Sequence, residues 1–271
     1  MTSPSAVPGV AFRAGAPSDE SHLIRHAELV MGTAVSFSVL SEKPRDVVAA
    51  AVRLACAVLH RADVVFSTWN SQSPLSRMRR GEAQLDDLPA EVTEVLRLCE
   101  AARKATGGWF DPWAASGGVD PTGLVKGWAV ERALGVLKDA GIAAAMVNGG
   151  GDIAVFGQPP GSDGAGWRIG IRHPWRADGL AAIVTGVTAA IATSGAYERG
   201  SHLYGPPGKR VALVASATVT GPSLAMADAI ATALAAGGDE VLPLVADLDA
   251  YEGYLIRGDG SETDTGGITF G

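Results

Sequence analysis

The 271-residue sequence predicts an α+β fold in which mixed, largely antiparallel sheets pack with helices. Three observations carry this expectation. Long segments with apolar residues at helical spacing come first, and shorter β-type runs with hairpin spacing follow. No regular βαβ alternation and no repeat of fixed period interrupts that order. The apolar fraction is 47% against 19% charged, which in a chain of this length fills a large core and excludes wholesale disorder.

Taken in order, Glu28–Leu40 reads as a strand, because Val30, Val35, Phe37 and Val39 partly alternate with small polar residues. Pro44–Val65 is apolar at helical spacing, with Arg53, His60 and Arg61 as polar exceptions. A second helix opens near Pro89 and runs to Gly107, and a third spans about Lys126 to Ala140, closed by Gly141. Strands are expected at Ala145–Val147, Ile153–Phe156, Trp167–Ile171, Ala181–Thr185, Thr188–Ala192 and Val211–Thr218. A fourth helix, Ser223–Ala236, is stopped by Gly237 and Gly238. A short helix near Asp239–Asp247 and a strand at Tyr254–Arg257 complete the series.

Charge and termini narrow the function. The formal net charge is −7, which argues against a nucleic-acid partner because such proteins need a cationic footprint. Cys56 and Cys99 each lie in an apolar helical stretch, so they form neither a disulfide framework nor a CxxC metal site. Met1 to about Ser21 is rich in Pro, Ser, Gly and Ala, with no unbroken apolar run of signal-peptide length, and reads as a flexible tail. No segment approaches the roughly 20 apolar residues of a membrane span. The expectation is a cytoplasmic chain without a membrane span.

The 35 glycines fall in clusters between elements, not in Gly/Ser tracts, so they read as loops of a folded domain. Two clusters imitate nucleotide motifs. Gly149-Gly150-Gly151-Asp152-Ile153-Ala154 satisfies GxGxxA, but a strand follows where that motif must open a helix. Gly118 to Gly123 has the spacing of a P-loop, but Leu124-Val125 follow it in place of Lys-Ser/Thr.

Five positions invite chemistry. Asp228 and Thr232 are four apart on a helix otherwise of Ala, Leu, Ile and Met, so they share one face. A buried carboxylate needs a partner or a metal, and carboxylate plus hydroxyl suits a hard cation such as Mg²⁺. The alternative is local hydrogen bonding, with Thr232 bonding back to a carbonyl. His202 follows the polar stretch Thr193–Gly200, where it is either a general base or a surface histidine. Lys126 opposes the dipole of its own helix start, which an anionic ligand or Asp120 would offset. Trp69 in the polar stretch Phe66–Asn70 either stacks on a flat ligand or caps the core.

The order of the blocks is more specific than any one of them. Met31-Gly32-Thr33 is followed by Phe66-Ser67-Thr68-Trp69, Ser73–Arg77 and Gly108–Pro112. Then come Asp120-x-x-Gly123-x-x-Lys126-Gly127-Trp128-Ala129 and Asn148–Asp152. Last are Thr193-Ser194-Gly195-x-Tyr197-Glu198-Arg199, His202-x-x-x-Pro206 and Ala227–Leu234. Together these resemble the ApbE family, the FAD:protein FMN transferases, from about Glu28 to the C-terminus. The resemblance implies one ApbE-like domain over residues 27–271 behind a tail of residues 1–26.

It further implies a Mg²⁺-dependent enzyme that cleaves the pyrophosphate of FAD as substrate. FMN passes to a Thr or Ser hydroxyl of an acceptor flavoprotein and AMP leaves. Carried over by position, Asp228, Thr232 and the Gly123 carbonyl would hold the metal. Met31, Trp69, Trp109, Phe110, Asp111, Asp120, Lys126 and Ala231 would bind the nucleotide. His202 would be the base. Three positions depart from the family pattern: Ala196 and Gly205 replace acids, and Thr122 replaces the first of a glycine pair. A FAD pyrophosphatase and a non-catalytic FAD-binding protein are the alternatives at such a site.

Overall fold

The structure is a computed structural model that describes residues 23–176, 178–195, 205–212 and 214–268. The chain enters through an antiparallel hairpin of β1 (Leu23–Val30) and β2 (Thr33–Leu40). The sequence reading of one strand from Glu28 is therefore corrected to two, and the tail boundary expected at residue 26 falls inside β1. Val30 pairs with Thr33, so Met31 and Gly32 form a two-residue turn with φ of 53° and 72°. Positive φ at both positions is the type I′ geometry that matches strand twist.

Helices α1 (Arg45–Phe66), α2 (Pro74–Arg79), α3 (Ala90–Ala105) and α4 (Thr122–Asp139) follow. The short α2 was not expected, although Ser73 caps it by accepting from the Ser76 N–H and Pro74 occupies its first turn. Strands β3 (Ala144–Gly149) and β4 (Asp152–Phe156) are joined by Gly150 and Gly151, both at positive φ. The triple glycine thus makes a hairpin, which is why its dinucleotide-like spacing opens no helix. Next come β5 (Trp167–Arg172), β6 (Leu180–Gly186), β7 (Ala189–Ser194) and β8 (Val214–Gly221). The last of these is shifted three residues beyond the expected strand. Helices α5 (Leu224–Gly237) and α6 (Leu242–Ala246) precede β9 (Glu252–Arg257) and β10 (Glu262–Asp264).

Eight strands form one antiparallel sheet in the order β1-β2-β3-β4-β7-β8-β9-β10, with β5–β6 as a separate hairpin. Helices α1, α4 and α5 cover one face, and the main core includes Phe37, Leu59, Leu124, Leu137, Ile230 and Leu234. The β5–β6 hairpin closes part of the other face by packing Trp167 and Ile169 against Ile191 of β7, and the Trp167 indole N–H donates to the Phe156 carbonyl at 3.1 Å. Cys56 and Cys99 are buried and unbridged, and burial pushes their thiols up to about 11 and about 12. Among the described residues no helix is long and apolar enough to cross a membrane.

Candidate functional site

The site begins where α4 meets α5. A Cβ on Gly127 would lie 2.4 Å from the Leu224 carbonyl oxygen and 2.9 Å from Asp228 Cβ, so only glycine allows this approach. The contact is fixed at two levels. Gly127 donates its N–H to Asp228 Oδ2 at 3.1 Å. One turn on, Glu131 accepts from Ser223 Oγ at 2.9 Å and from the Ala225 N–H at 3.1 Å, which places an anion at the positive end of α5.

Asp228 is fully buried. Its donor, the Gly127 N–H, is the one an α-helix directs at the carbonyl of Gly123. The carboxylate therefore competes with Gly123 for that donor. Thr232, one turn beyond Asp228, has a buried Oγ1 with no hydrogen-bond partner among the described residues. A Cβ on Gly123 would lie 3.3 Å from this oxygen. The Asp228 carboxylate, the unsatisfied Thr232 hydroxyl and Gly123 meet at one α4–α5 contact, and a carboxylate, a hydroxyl and a backbone carbonyl together fit a hard cation such as Mg²⁺.

Above the seam lies a cavity of about 660 Å³. Nine of the twelve site residues expected from sequence line it: Met31, Trp69, Trp109, Phe110, Asp111, Asp120, Gly123, Lys126 and Thr232. Asp228 and Ala231 lie beneath it, buried in α5. His202 lies outside the described residues, as does Ala196. Trp69 is 97% exposed, so it caps no core and offers a free aromatic face at the rim. Trp109 and Phe110 are buried instead and form the floor. Asp120 and Asp111 also hold the local backbone, accepting from the N–H groups of Thr122 and Trp113 at 3.1 and 3.0 Å.

Two expectations change. Helix α4 starts at Thr122, four residues early, so Lys126 sits in its second turn and not at its dipolar end. An acid the sequence reading gave no role is its partner: Lys126 Nζ forms an ion pair with Asp152, the first residue of β4. Asp152 also accepts from the Thr193 N–H at 3.3 Å. Sequence reasoning assigned Asp152 no role, although an acid directly after the glycine turn was a usable signal. It likewise missed Asp63 and Phe66, which line the cavity from α1. At the departure Gly205, a Cβ would lie 2.9 Å from Trp109 Cζ3, and one on Gly237 would lie 2.7 Å from Trp109 Cδ2. The indole occupies the space an acid at 205 would need.

A sheet flanked by helices with a buried Asp–Thr pair under a nucleotide-sized cavity defines a class of fold and site. The ApbE family profile matches residues 31–118 and 114–255, and the chain belongs to that family. Over 153 residues it is 33% identical to the FAD:protein FMN transferase of Rhodobacter capsulatus, covering 53% of this chain and 29% of that one. Over 133 residues it is 35% identical to the FAD:protein FMN transferase of Vibrio cholerae, covering 45% and 39%. The matched stretches thus span well under two thirds of those relatives. The crystal structure of the ApbE protein from Thermotoga maritima superposes with a TM-score of 0.75 at 20% identity, over 89% of this chain and 96% of that one, so the fold is shared.

Proposed function

We propose that this chain is a Mg²⁺-dependent FAD:protein FMN transferase. The observation that carries the reading is the convergence of the Asp228 carboxylate, the unpartnered Thr232 hydroxyl and Gly123 at the foot of a cavity with Trp69 at its rim. The relatives' names support the activity, and the electrostatics support the cation. Among the described residues, Asp63, Asp111 and Asp120 put three carboxylates on the cavity wall, against one lysine that is already paired with Asp152. A pyrophosphate meeting that wall needs added positive charge.

Mg²⁺ held by Asp228, Thr232 and the Gly123 carbonyl would supply charge neutralisation on phosphate oxygens. The chain's own groups do the rest. Trp69 offers an aromatic face for the isoalloxazine, and Lys126, anchored by Asp152, holds a fixed cation for the phosphates. His202 accepts the proton of the acceptor Thr or Ser hydroxyl as that oxygen attacks the FMN phosphorus. The pyrophosphate P–O bond breaks and AMP leaves.

Incubation with FAD and Mg²⁺, with and without a Thr-bearing acceptor polypeptide, tests the reading. Flavin fluorescence that stays on the denatured acceptor, with matching AMP, is expected. AMP release without acceptor would make the chain a FAD pyrophosphatase, and FAD recovered intact under all conditions would make it a binding protein.

A further inference from the structure

A second cluster of ligand-type side chains lies away from the cavity floor, where β1 packs on α1. His26 and Glu28 are two apart on β1 and so point to the same face of the strand. Cys56 and His60 are four apart on α1 and so share one face of the helix. The two pairs meet. Glu28 spans both imidazoles, with Oε2 at 3.2 Å from His26 Nε2 and Oε1 at 2.8 Å from His60 Nε2. One ligand atom from each of His26, Glu28 and Cys56 lies within 4.8 Å of the other two.

The donor set is selective. Imidazole, carboxylate and thiolate together suit borderline divalent transition metals such as Zn²⁺, and differ from the all-oxygen set at Asp228 and Thr232. Tetrahedral coordination at ordinary zinc bond lengths brings ligand atoms to about 3.4–3.6 Å apart. The cluster therefore needs a contraction of about an ångström, within the reach of rotamer adjustment in the half-exposed His26 and Glu28. Cys56 forms the buried base, and the two imidazoles form the open side. His60 already holds the carboxylate from outside, the arrangement by which an outer partner orients a metal ligand.

We propose that His26, Glu28 and Cys56 form a binding site for a Zn²⁺-like transition metal, with His60 as the positioning residue for Glu28. The site clamps β1 to α1, and both elements run on into the cavity wall. Met31 follows three residues after Glu28, and Ala62, Asp63 and Phe66 lie one to three turns beyond Cys56. The metal is a staple behind the cavity and no part of the chemistry within it.

Cobalt(II) titration of the metal-free 271-residue chain, in excess Mg²⁺ to fill oxygen-only sites, tests this directly. The expected result is a thiolate-to-cobalt charge-transfer band that saturates near about one equivalent and is displaced by Zn²⁺. Cys56→Ala removes the band, His26→Ala weakens binding at least about tenfold, and His60→Ala weakens it about 10–100-fold while keeping the band. Zn²⁺ also slows alkylation of Cys56 and leaves Cys99 unchanged. No band in the wild-type chain, or a band that survives Cys56→Ala, overturns the proposal. Because His26 is half-exposed, His26→Ala remains informative even if Cys56→Ala fails to fold, and unchanged affinity in that variant overturns the site as drawn.

Discussion

Helix α4 carries two cations that pair with carboxylates, Lys126 and Arg132, in opposite surroundings. Lys126 is nearly buried against Asp152, which is almost wholly inaccessible. Arg132 meets Glu94 in the open, with about half the arginine side chain in water. The same kind of contact therefore has different worth on two faces of one helix. On the buried face, removal of one partner strands a charge; on the open face, water replaces it. The buried face is also the one that presents Gly127 to Asp228. The candidate site lies where the polar groups are hardest to satisfy.

The largest expected effect tests that buried face at its centre. Asp228→Ala removes the buried carboxylate at the foot of the cavity and, with it, several kcal/mol of charge stabilisation, about a hundredfold or more in rate. The rate should also stop responding to Mg²⁺. Steady-state rates across a Mg²⁺ series check this, and an unchanged Mg²⁺ dependence removes Asp228 from the metal site.

Asp152 comes next. Asp152→Ala removes the inaccessible carboxylate that pairs with Lys126 at the cavity wall and should cost about 1–3 kcal/mol in urea unfolding. Replacing both groups, as Lys126→Met with Asp152→Leu, should recover most of that stability while nucleotide affinity stays lost. If the double variant is no more stable than the single one, the pair is not the dominant interaction of either side chain. Gly127→Ala should cost about 1–3 kcal/mol, because the added methyl meets the Leu224 backbone carbonyl at 2.4 Å. The gain in helix propensity, about 1 kcal/mol, opposes this and loses, since a backbone carbonyl cannot step aside cheaply.

What the sequence revealed follows the same division. Helix α5 was legible to within a residue, since Ser223 caps it and Gly237-Gly238 stop it. Asp228 and Thr232 stood out because they are the polar residues at the centre of an otherwise apolar helix. The turn at Met31-Gly32 was not legible. Leu29-Val30-Met31 reads as a continuous apolar run, and methionine at positive φ is a conformation side chains rarely adopt. The start of α4 was missed because Asp120 and Pro121 read as loop, although the Asp120 carboxylate in fact satisfies the Thr122 N–H at the helix start. The partnership of Lys126 with Asp152 needs the β3–β4 hairpin folded beneath α4, a tertiary fact that no local pattern carries.

The exposed face gives the smallest effect, and it has three contributors. Glu94 accepts from Arg132 and, at 3.1 Å, from the Trp128 indole N–H, while the Arg132 guanidinium lies 4.7 Å from the centre of the Trp128 ring. Exposed ion pairs are worth about 0–1 kcal/mol and an exposed cation–π contact about 0.5–1 kcal/mol, so Arg132→Ala should cost no more than about 1–1.5 kcal/mol. The Arg132 hydrogen bond holds the Glu94 carboxyl below its ordinary range. A lowered carboxylate pKa stabilises the fold above the unfolded value, about 4.3, and the contribution is lost as pH falls through the folded value. Urea midpoints measured from pH 7 down to pH 3 should therefore show the wild-type advantage over Arg132→Ala shrinking at the acid end. Salt should shrink it as well at neutral pH, because water reaches the pair. A gap that persists at both low pH and high salt would place Arg132's contribution in packing on Trp128, and the open face of α4 would then resemble the buried one more than its charges suggest.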